Sequence, residues 1–263
     1  MKKTIIEMDL DNTIFRKTQN FSEKTINSLK RLHRKGFFLI LNSGRPISQL
    51  KMILNDYDML DLFEYLIGSN GAECYDVKND QYQLFNYLCP DIIKKIYNKY
   101  QNEDMSLCLY DDDFLTNKYL DKYLARVKQL KMKPSLYDFN LITKPYPKML
   151  AIIEPEDREY FKMIIDKDND DDYDSYFSGE YIIEFVPKNS SKATGINKLI
   201  DALSLNDYEL YSFGDNENDY EMLKYSKGVM MGYDNEFLKD VAKYATDTCD
   251  EDGFSNFVDE YFK

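Results

Sequence analysis

Histidine is almost absent from this chain, and its scarcity excludes several kinds of catalysis. His33 is the only histidine among 263 residues. Ser-His-Asp and Cys-His mechanisms, and zinc sites rich in histidine, would all depend on that one side chain. His33 lies on the polar side of a predicted amphipathic helix, so we expect it at the protein surface. The catalytic groups should therefore be sought among other residue types.

Glycine, proline and cysteine are also scarce. Ten glycines and seven prolines are too few for a collagen-like or low-complexity chain. The four cysteines show no CxxC spacing, which predicts reduced thiols rather than a zinc ribbon or a redox pair. Reduced thiols are typical of a reducing compartment. The cysteines are Cys74, Cys89, Cys108 and Cys249.

Long apolar runs are missing as well. The first twelve residues, MKKTIIEMDLDN, carry charges within their short apolar run and lack the apolar core of a signal peptide. No stretch approaches the roughly 18 apolar residues of a membrane span. The sequence therefore predicts a soluble, cytoplasmic protein with no membrane partner.

Positive charge is outweighed by negative charge. The chain has 34 Lys and Arg against 47 Asp and Glu, a net charge of −13. Such a surface repels phosphate backbones, so we expect no nucleic-acid partner. A small phosphorylated substrate remains compatible with this net charge if a metal ion and a few basic residues reverse the local charge.

A hydrophobic content of 43% excludes intrinsic disorder.

The order of predicted strands and helices indicates a parallel sheet interrupted by an insertion. Strand and helix alternate over the first 75 residues, and the pattern resumes from Ser191. A mixed α+β segment lies between them. We therefore predict an α/β fold with a discontinuous core domain, residues 1–79 and 188–263, and an inserted α+β domain, residues 80–187. The acidic run 166–174 in the insertion lacks the glycine and the bidentate glutamate of an EF-hand, which favours a solvated loop.

Polar side chains follow the predicted core strands, where the strands end. Asp9 and Asp11 follow the first strand, Ser43–Arg45 the second, and Asp215–Asp219 a later one, while Lys192 opens a helix nearby. Ligands bind at the carboxyl ends of the strands in open parallel sheets. Carboxylates that converge there repel each other unless a hard divalent cation lies between them. The sequence therefore predicts a Mg²⁺ site.

These motifs, in this order, resemble those of the haloacid dehalogenase (HAD) superfamily. They are DLDNT (Asp9–Thr13), SGR (Ser43–Arg45), Lys192 and GDNEND (Gly214–Asp219). The insertion, together with SNGA (Ser69–Ala72), resembles the Cof-type phosphatase branch. The resemblance implies a HAD-like Rossmannoid core with a parallel sheet, and an α+β cap domain that covers the active site.

The resemblance also implies a role for each motif residue. Asp9 would attack phosphorus and form an aspartyl-phosphate, and Asp11 would protonate the leaving group and then activate water. Mg²⁺ would bind the carboxylates of Asp9 and Asp215 and the backbone carbonyl of Asp11. The expected phosphate-binding residues are Leu10, Ser43, Gly44, Lys192 and Asn218. Thr13, Arg45 and Asp219 are expected to support the site or to contact the substrate. Asp219 would orient Lys192 or the waters of the metal. Arg45 would either contact the substrate or form a structural salt bridge.

Two residues near the first motif depart from the family pattern. Asn12 stands where glycine is common, and asparagine tolerates the positive φ that the turn needs. Glu7 lies in a strand expected to be apolar, and we expect it either to face a sheet edge or to pair with a basic residue.

The resemblance implies a Mg²⁺-dependent phosphatase of small phosphomonoesters, such as sugar phosphates, nucleotides or phosphorylated cofactors. Two alternatives remain: a phosphomutase or phosphotransferase of the same fold, and a non-catalytic binding protein. Substrate specificity is expected to lie between Gln81 and Pro187, which the resemblance assigns to the cap.

Overall fold

A computed structural model describes residues 3–263, which contain fourteen strands and eight α-helices. The strands are β1 (Lys3–Met8), β2 (Phe38–Asn42), β3 (Tyr65–Gly68), β4 (Glu73–Asp76), β5 (Gln81–Leu84), β6 (Ser106–Tyr110), β7 (Phe114–Thr116), β8 (Pro134–Leu136), β9 (Met149–Ile152), β10 (Tyr173–Phe177), β11 (Ile182–Pro187), β12 (Tyr208–Gly214), β13 (Lys227–Met231) and β14 (Tyr244–Thr246). The helices are α1 (Glu23–Arg34), α2 (Ile47–Asn55), α3 (Pro90–Tyr100), α4 (Asp121–Leu130), α5 (Arg158–Ile165), α6 (Lys192–Ala202), α7 (Tyr220–Tyr225) and α8 (Gly253–Tyr261). Short 3₁₀ turns lie at Leu60–Leu62, Ser69–Gly71, Phe139–Leu141, Pro155–Asp157, Glu217–Asp219 and Cys249–Glu251.

The chain divides into two compact units. One comprises the chain up to Phe85 together with Ser190–Lys263, and the other comprises Asn86–Asn189. The sequence placed the boundaries after residues 79 and 187. The first of these is too early, because β5 pairs with β4 and thereby extends the sheet of the first unit.

The first unit contains an eight-stranded sheet in the order β14-β13-β12-β1-β2-β3-β4-β5. The six strands from β14 to β3 are parallel, and β4 and β5 are antiparallel additions. Every residue of β2 is buried, as expected for a continuous apolar strand with both faces covered. The predicted α/β fold with a parallel sheet is confirmed.

The helices of the first unit cover both faces of this sheet. Ile196, Leu199 and Ile200 of α6 pack with β-strand residues such as Ile5 on one face. The other face packs against α1, α2 and α8 in a larger apolar cluster. Alternating strand side chains therefore enter two separate cores, which fixes the register of the central strands and the direction of their ends.

Side-chain caps mark the starts of α1 and α6. The Ser22 side chain accepts a hydrogen bond from the Thr25 backbone N–H at the start of α1. Ser191 and Thr194 form a reciprocal capping box at the start of α6. This box fixes Lys192 as the first residue of α6.

The second unit is built on a mixed six-stranded sheet in the order β10-β11-β9-β6-β7-β8. All its neighbouring strands are antiparallel except β7 and β8. Its acidic run is held by side chains of the same unit, since Lys95 pairs with Asp170 and Asp172. The Asp168 side chain is 1% exposed and accepts hydrogen bonds from Tyr100 and Tyr173, so this part of the run is not the solvated loop that the sequence favoured.

The histidine, the cysteines and the lengths of the apolar helices agree with the sequence. His33 is exposed, and its Nδ1 lies 3.1 Å from the carbonyl oxygen of Leu62. All four cysteines are free thiols. Within residues 3–263, no helix has both the length and the apolar character needed to cross a membrane.

Candidate active site

The predicted motifs meet at the carboxyl edge of the first unit's sheet. β1 pairs with β12 on one side and β2 on the other, so that Met8 lies opposite Phe213 and Leu41. Asp9 continues this alignment, because its backbone N–H donates to the Phe213 carbonyl at 3.0 Å. The residues that follow the three strands are therefore brought to one place, although they are far apart in sequence.

Lys192 is the centre of the site. Its side chain is 1% exposed, and its Nζ lies 2.6 Å from Asp9 Oδ1 and 2.6 Å from Asp219 Oδ1. Asp9 comes from the end of β1, Lys192 from the start of α6, and Asp219 from the turn after β12. One buried ammonium thus joins three separate segments of the chain.

Asp219 uses both carboxylate oxygens within the protein. Oδ1 binds Lys192, and Oδ2 accepts hydrogen bonds from the backbone N–H groups of Asp215 and Asn216 at 3.0 and 3.1 Å. Asp219 is fully buried. This arrangement suits a residue that orients Lys192 and the Asp215 turn, and it favours Asp215 over Asp219 as a metal ligand.

Asp215 is held from three directions. Its Oδ1 accepts from Thr13 Oγ1 at 3.3 Å, and its side chain also bonds to that of Asn12. Its backbone carbonyl accepts from Asn235 Nδ2 at 2.6 Å. Asn12 has a φ of 58°, which is the positive value expected where glycine is common. The DLDNT turn therefore supports Asp215 as well as presenting Asp9.

The loops after β2 and β3 form one wall of the site. Ser43 is buried, its backbone N–H donates to the Ile67 carbonyl, and its own carbonyl accepts from the Asn70 backbone N–H. The Asn70 side chain accepts from Asn218 Nδ2 at 3.3 Å. Asn70 thus links two predicted phosphate-binding segments, a role that the sequence did not assign to it.

The turn at Ser69–Gly71 packs against the start of α6. Ser69, Asn70 and Gly71 all have positive φ values, of 49°, 52° and 90°. A Cβ atom on Gly71 would lie 2.1 Å from the Ser191 carbonyl oxygen, so only glycine fits there. This close approach places the SNGA turn directly beside the residue that caps the Lys192 helix.

The Asp11 side chain pairs with Arg45. The guanidinium Nε and Nη2 atoms of Arg45 each lie 2.7 Å from an oxygen of the Asp11 carboxylate. The Asp11 side chain is 39% exposed. Of the two roles open for Arg45 in the sequence, the structure contains the salt bridge, and its partner is the predicted acid.

Burial and mutual repulsion perturb the carboxylates of the site. Burial, and then the neighbouring charges of Asp219 and Asp215, raise the pKa of Asp9 to about 8 despite the attraction of Lys192. Burial and the Asp219 charge raise the pKa of Asp215 to about 6. Both neighbouring carboxylates raise the pKa of Lys192. Three carboxylates thus face one ammonium, an excess of negative charge.

This excess suits a divalent cation. One carboxylate oxygen from each of Asp9, Asp215 and Asp219 lies within 4.8 Å of the others. Carboxylate oxygens are hard ligands of the kind that Mg²⁺ prefers. A cation beside Asp9 and Asp215 would offset the repulsion that raises their pKa values, so the donor set fits the predicted metal.

Glu7 differs from both sequence expectations. It lies in the central strand β1 rather than at an edge, it is fully buried, and its partners are Asn42 and Ser212 rather than a basic residue. Burial raises its pKa to about 7. The sequence indicated that Glu7 is unusual, because it is a charged residue in an apolar strand. The partners of Glu7 could not be identified, because they lie on β2 and β12 and depend on the strand order.

Comparisons with known proteins agree with the fold and the motifs. A family model described as haloacid dehalogenase-like hydrolase matches residues 6–258. The 5-amino-6-(5-phospho-D-ribitylamino)uracil phosphatase YitU of Bacillus subtilis is 24% identical over 99% of this chain and 98% of its own length. The putative phosphatase YkrA of Bacillus subtilis is 26% identical over 99% and 98%.

Solved structures give the same result. A haloacid dehalogenase-like hydrolase from Bacteroides thetaiotaomicron superposes with a TM-score of 0.87 and 26% identity. The superposition covers 98% of this chain and 99% of that one.

Proposed function

Because this chain belongs to the haloacid dehalogenase-like hydrolases, as its motifs predicted, we propose that it is a Mg²⁺-dependent phosphatase of small phosphomonoesters. The observation that carries the proposal is the contact of Lys192 with both Asp9 and Asp219, with Asp215 beside them. In this arrangement Asp9 would serve as the nucleophile, Lys192 as a fixed cation and Asp215 as a metal ligand, all at one sheet edge. The named phosphatases among the relatives span nearly the whole chain, which supports the same reaction class.

Asp9 is the proposed nucleophile. A carboxylate oxygen of Asp9 attacks phosphorus, the bond from phosphorus to the ester oxygen breaks, and an aspartyl-phosphate forms. Lys192 lies within hydrogen-bond distance of the attacking group, so its charge reduces the repulsion between that carboxylate and the phosphate. Asp219 keeps Lys192 in place throughout.

Asp11 is the proposed acid and base. It gives a proton to the leaving ester oxygen, and it then takes a proton from the water that attacks the aspartyl-phosphate and releases inorganic phosphate. In the structure, Arg45 Nε and Nη2 each donate a hydrogen bond to the Asp11 side chain. For Asp11 to act as an acid, Arg45 has to release it, and an incoming phosphate is an alternative partner for the guanidinium.

The metal is proposed to be held by the carboxylates of Asp9 and Asp215 and by the backbone carbonyl of Asp11. When bound, Mg²⁺ would offset negative charge on the nucleophile and the phosphate. Thr13 and Asn235 would keep Asp215 in position for it.

The proposed phosphate cradle consists of short side chains and backbone groups near Lys192. Ser43 and Asn218 lie on the two segments that Asn70 links. Leu10 and Gly44 would contribute backbone N–H groups. These groups would bind the phosphate oxygens without adding a further carboxylate to the site.

The substrate is proposed to be a small phosphorylated metabolite, such as a sugar phosphate, a nucleotide or a phosphorylated cofactor. YitU is named for a phosphorylated ribitylaminouracil, which belongs to this size class. We assign recognition of the leaving group to Asn86–Asn189, as the predicted cap. Of the aromatic residues in this unit, Phe114 and Phe139 are fully buried in its core, whereas Tyr87 and Tyr119 are 49% and 44% exposed. We place the reaction in the cytoplasm, which the four free thiols favour.

The test is phosphate release from a panel of sugar phosphates, nucleotides and cofactor phosphates, with Mg²⁺ or with a chelator. Release that requires Mg²⁺ and is lost in Asp9→Asn supports the proposal, and the order of rates identifies the substrate class. Transfer of the phosphoryl group to a second sugar, without free phosphate, would indicate the phosphomutase alternative. Turnover that persists in Asp9→Asn would contradict the mechanism.

A further inference from the structure

A buried hydrogen-bonded chain runs from the middle of the sheet to the main chain of Lys192. Asn42 Nδ2 donates to Glu7 Oε1 at 2.6 Å and to the Lys192 backbone carbonyl at 3.0 Å. The other oxygen of Glu7 accepts from Ser212 Oγ at 2.5 Å. Glu7, Asn42 and Ser212 are each 0% exposed. Three adjacent strands, β12, β1 and β2, thus contribute one polar residue each.

This series of buried hydrogen bonds lowers the stability of the folded protein relative to an apolar core at the same positions. Burial of a carboxylate and an amide carries a desolvation cost, and an apolar side chain of similar volume would avoid it. The cost is not fully offset, because within residues 3–263 the buried Asn42 Oδ1 has no hydrogen-bond partner. Stability alone therefore does not explain polar residues at these positions.

The geometry fixes which way Asn42 acts. Both of its bonded neighbours, Glu7 Oε1 and the Lys192 carbonyl, are acceptors, so the amide must present its NH₂ group to both. Glu7 thereby sets the orientation of Asn42, and Asn42 holds the main chain of Lys192. At the other end of the same residue, Nζ contacts Asp9 and Asp219.

We propose that Glu7 is a positioning residue that acts through Asn42 to hold the first residue of α6, so that the Lys192 ammonium is aimed at Asp9. The proposal rests on the proposed phosphatase function, since it assigns Glu7 a role in that reaction. The capping box fixes the start of α6 along the chain, and the Asn42 bond fixes the same residue against the sheet. Glu7 touches no reacting group itself.

The test compares kcat, KM and Tm for four variants with those of the wild type. Glu7→Leu and Asn42→Ala remove the bridge. Glu7→Gln keeps an amide oxygen that can accept from Asn42, and its NH₂ can donate to Ser212 Oγ. Ser212→Ala is the matched control, because it removes the other hydrogen bond of Glu7 at an equally buried position and leaves the bridge to Lys192 in place.

A displaced Lys192 ammonium reduces the stabilisation of the transition state more than it reduces substrate binding. The value of kcat should therefore fall while KM changes little. We expect kcat losses of about 10- to 100-fold for Glu7→Leu and Asn42→Ala. Glu7→Gln and Ser212→Ala should keep a kcat close to that of the wild type, even where their Tm falls. Should Glu7→Leu fail to fold, Asn42→Ala decides, because it leaves β1 unchanged.

Two results would overturn the positioning role while leaving the phosphatase intact. One is a kcat for Asn42→Ala that matches the wild type. The other is a loss of kcat that follows the loss of Tm equally across all four variants, Ser212→Ala included. A wild type that releases no phosphate from any ester would instead refute the proposed function, and this inference with it.

Discussion

Replacing Asp9 by asparagine should abolish turnover and at the same time stabilise the metal-free protein. Asp9 is 6% exposed and lies in the carboxylate cluster, with Lys192 as its cationic partner. Asparagine has nearly the same shape and no charge, so the substitution removes the repulsion without opening a cavity. Because no other group replaces the nucleophile, we expect kcat to fall by at least about 10³-fold.

The size of the stabilisation follows from the raised pKa of Asp9. A rise from 3.8 to about 8 corresponds to at most about 6 kcal/mol at high pH, at about 1.4 kcal/mol for each pKa unit. Lys192 loses an ion pair in the variant, which offsets part of this gain. We therefore expect a net stabilisation of about 1–3 kcal/mol at pH 8, or about 2–6 °C in Tm for a chain of this length.

The sign of the pH dependence is set by the same shift. The folded protein binds the Asp9 proton more tightly than the unfolded chain does, so the contribution of Asp9 to stability is greatest below pH 4 and is lost as pH rises toward 8. In chelator, the wild-type Tm should therefore fall more steeply than the Asp9→Asn Tm between pH 5.5 and pH 8.5. A variant that melts below the wild type at pH 8 in chelator would refute this reasoning.

Three further substitutions test other parts of the site. Asp11→Asn should lower kcat by about 10²-fold or more for alkyl phosphates but less for p-nitrophenyl phosphate, whose leaving group needs no proton; equal losses would contradict the acid role. Mg²⁺ should raise the Tm of the wild type in thermal melts, since it binds the folded state, and it should not raise the Tm of Asp215→Asn. If Mg²⁺ raises the Tm of Asp215→Asn as much as that of the wild type, Asp215 is not a metal ligand. Gly71→Ala should lower both Tm and kcat, because its Cβ would meet the Ser191 carbonyl. Gly179→Ala is its control, since that glycine also has a positive φ but open space around it, and equal losses in the two variants would show that backbone strain alone is responsible.

The parts of the site that lie at strand ends could be predicted from the sequence. Asp9, Ser43 and Asp215 follow apolar strands directly, and the parallel order of those strands brings their ends together whatever the side chains do. Lys192 could be placed because Ser191 is a strong helix cap. Local signals and sheet topology were sufficient here.

Contacts between strands could not be predicted in the same way. The partners of Glu7 depend on β1 lying between β2 and β12, which no local pattern specifies. The domain boundary depended on whether β5 joins the first sheet. The residues of β5 are mostly exposed, so their sequence does not indicate which strand β5 pairs with. The pairing of Arg45 with Asp11 likewise depends on where two loops end.

The most direct test of the account is to locate the phosphoryl group during turnover. Wild-type protein with Mg²⁺ and a labelled substrate would be quenched in acid, digested and analysed by mass spectrometry, with Asp9→Asn treated in parallel. If Asp9 is the nucleophile, phosphate will be found on the peptide that contains Asp9, at Asp9 itself, and none will be found in the variant. Turnover without any labelled peptide, or with the label on Asp11 or another residue, would contradict it.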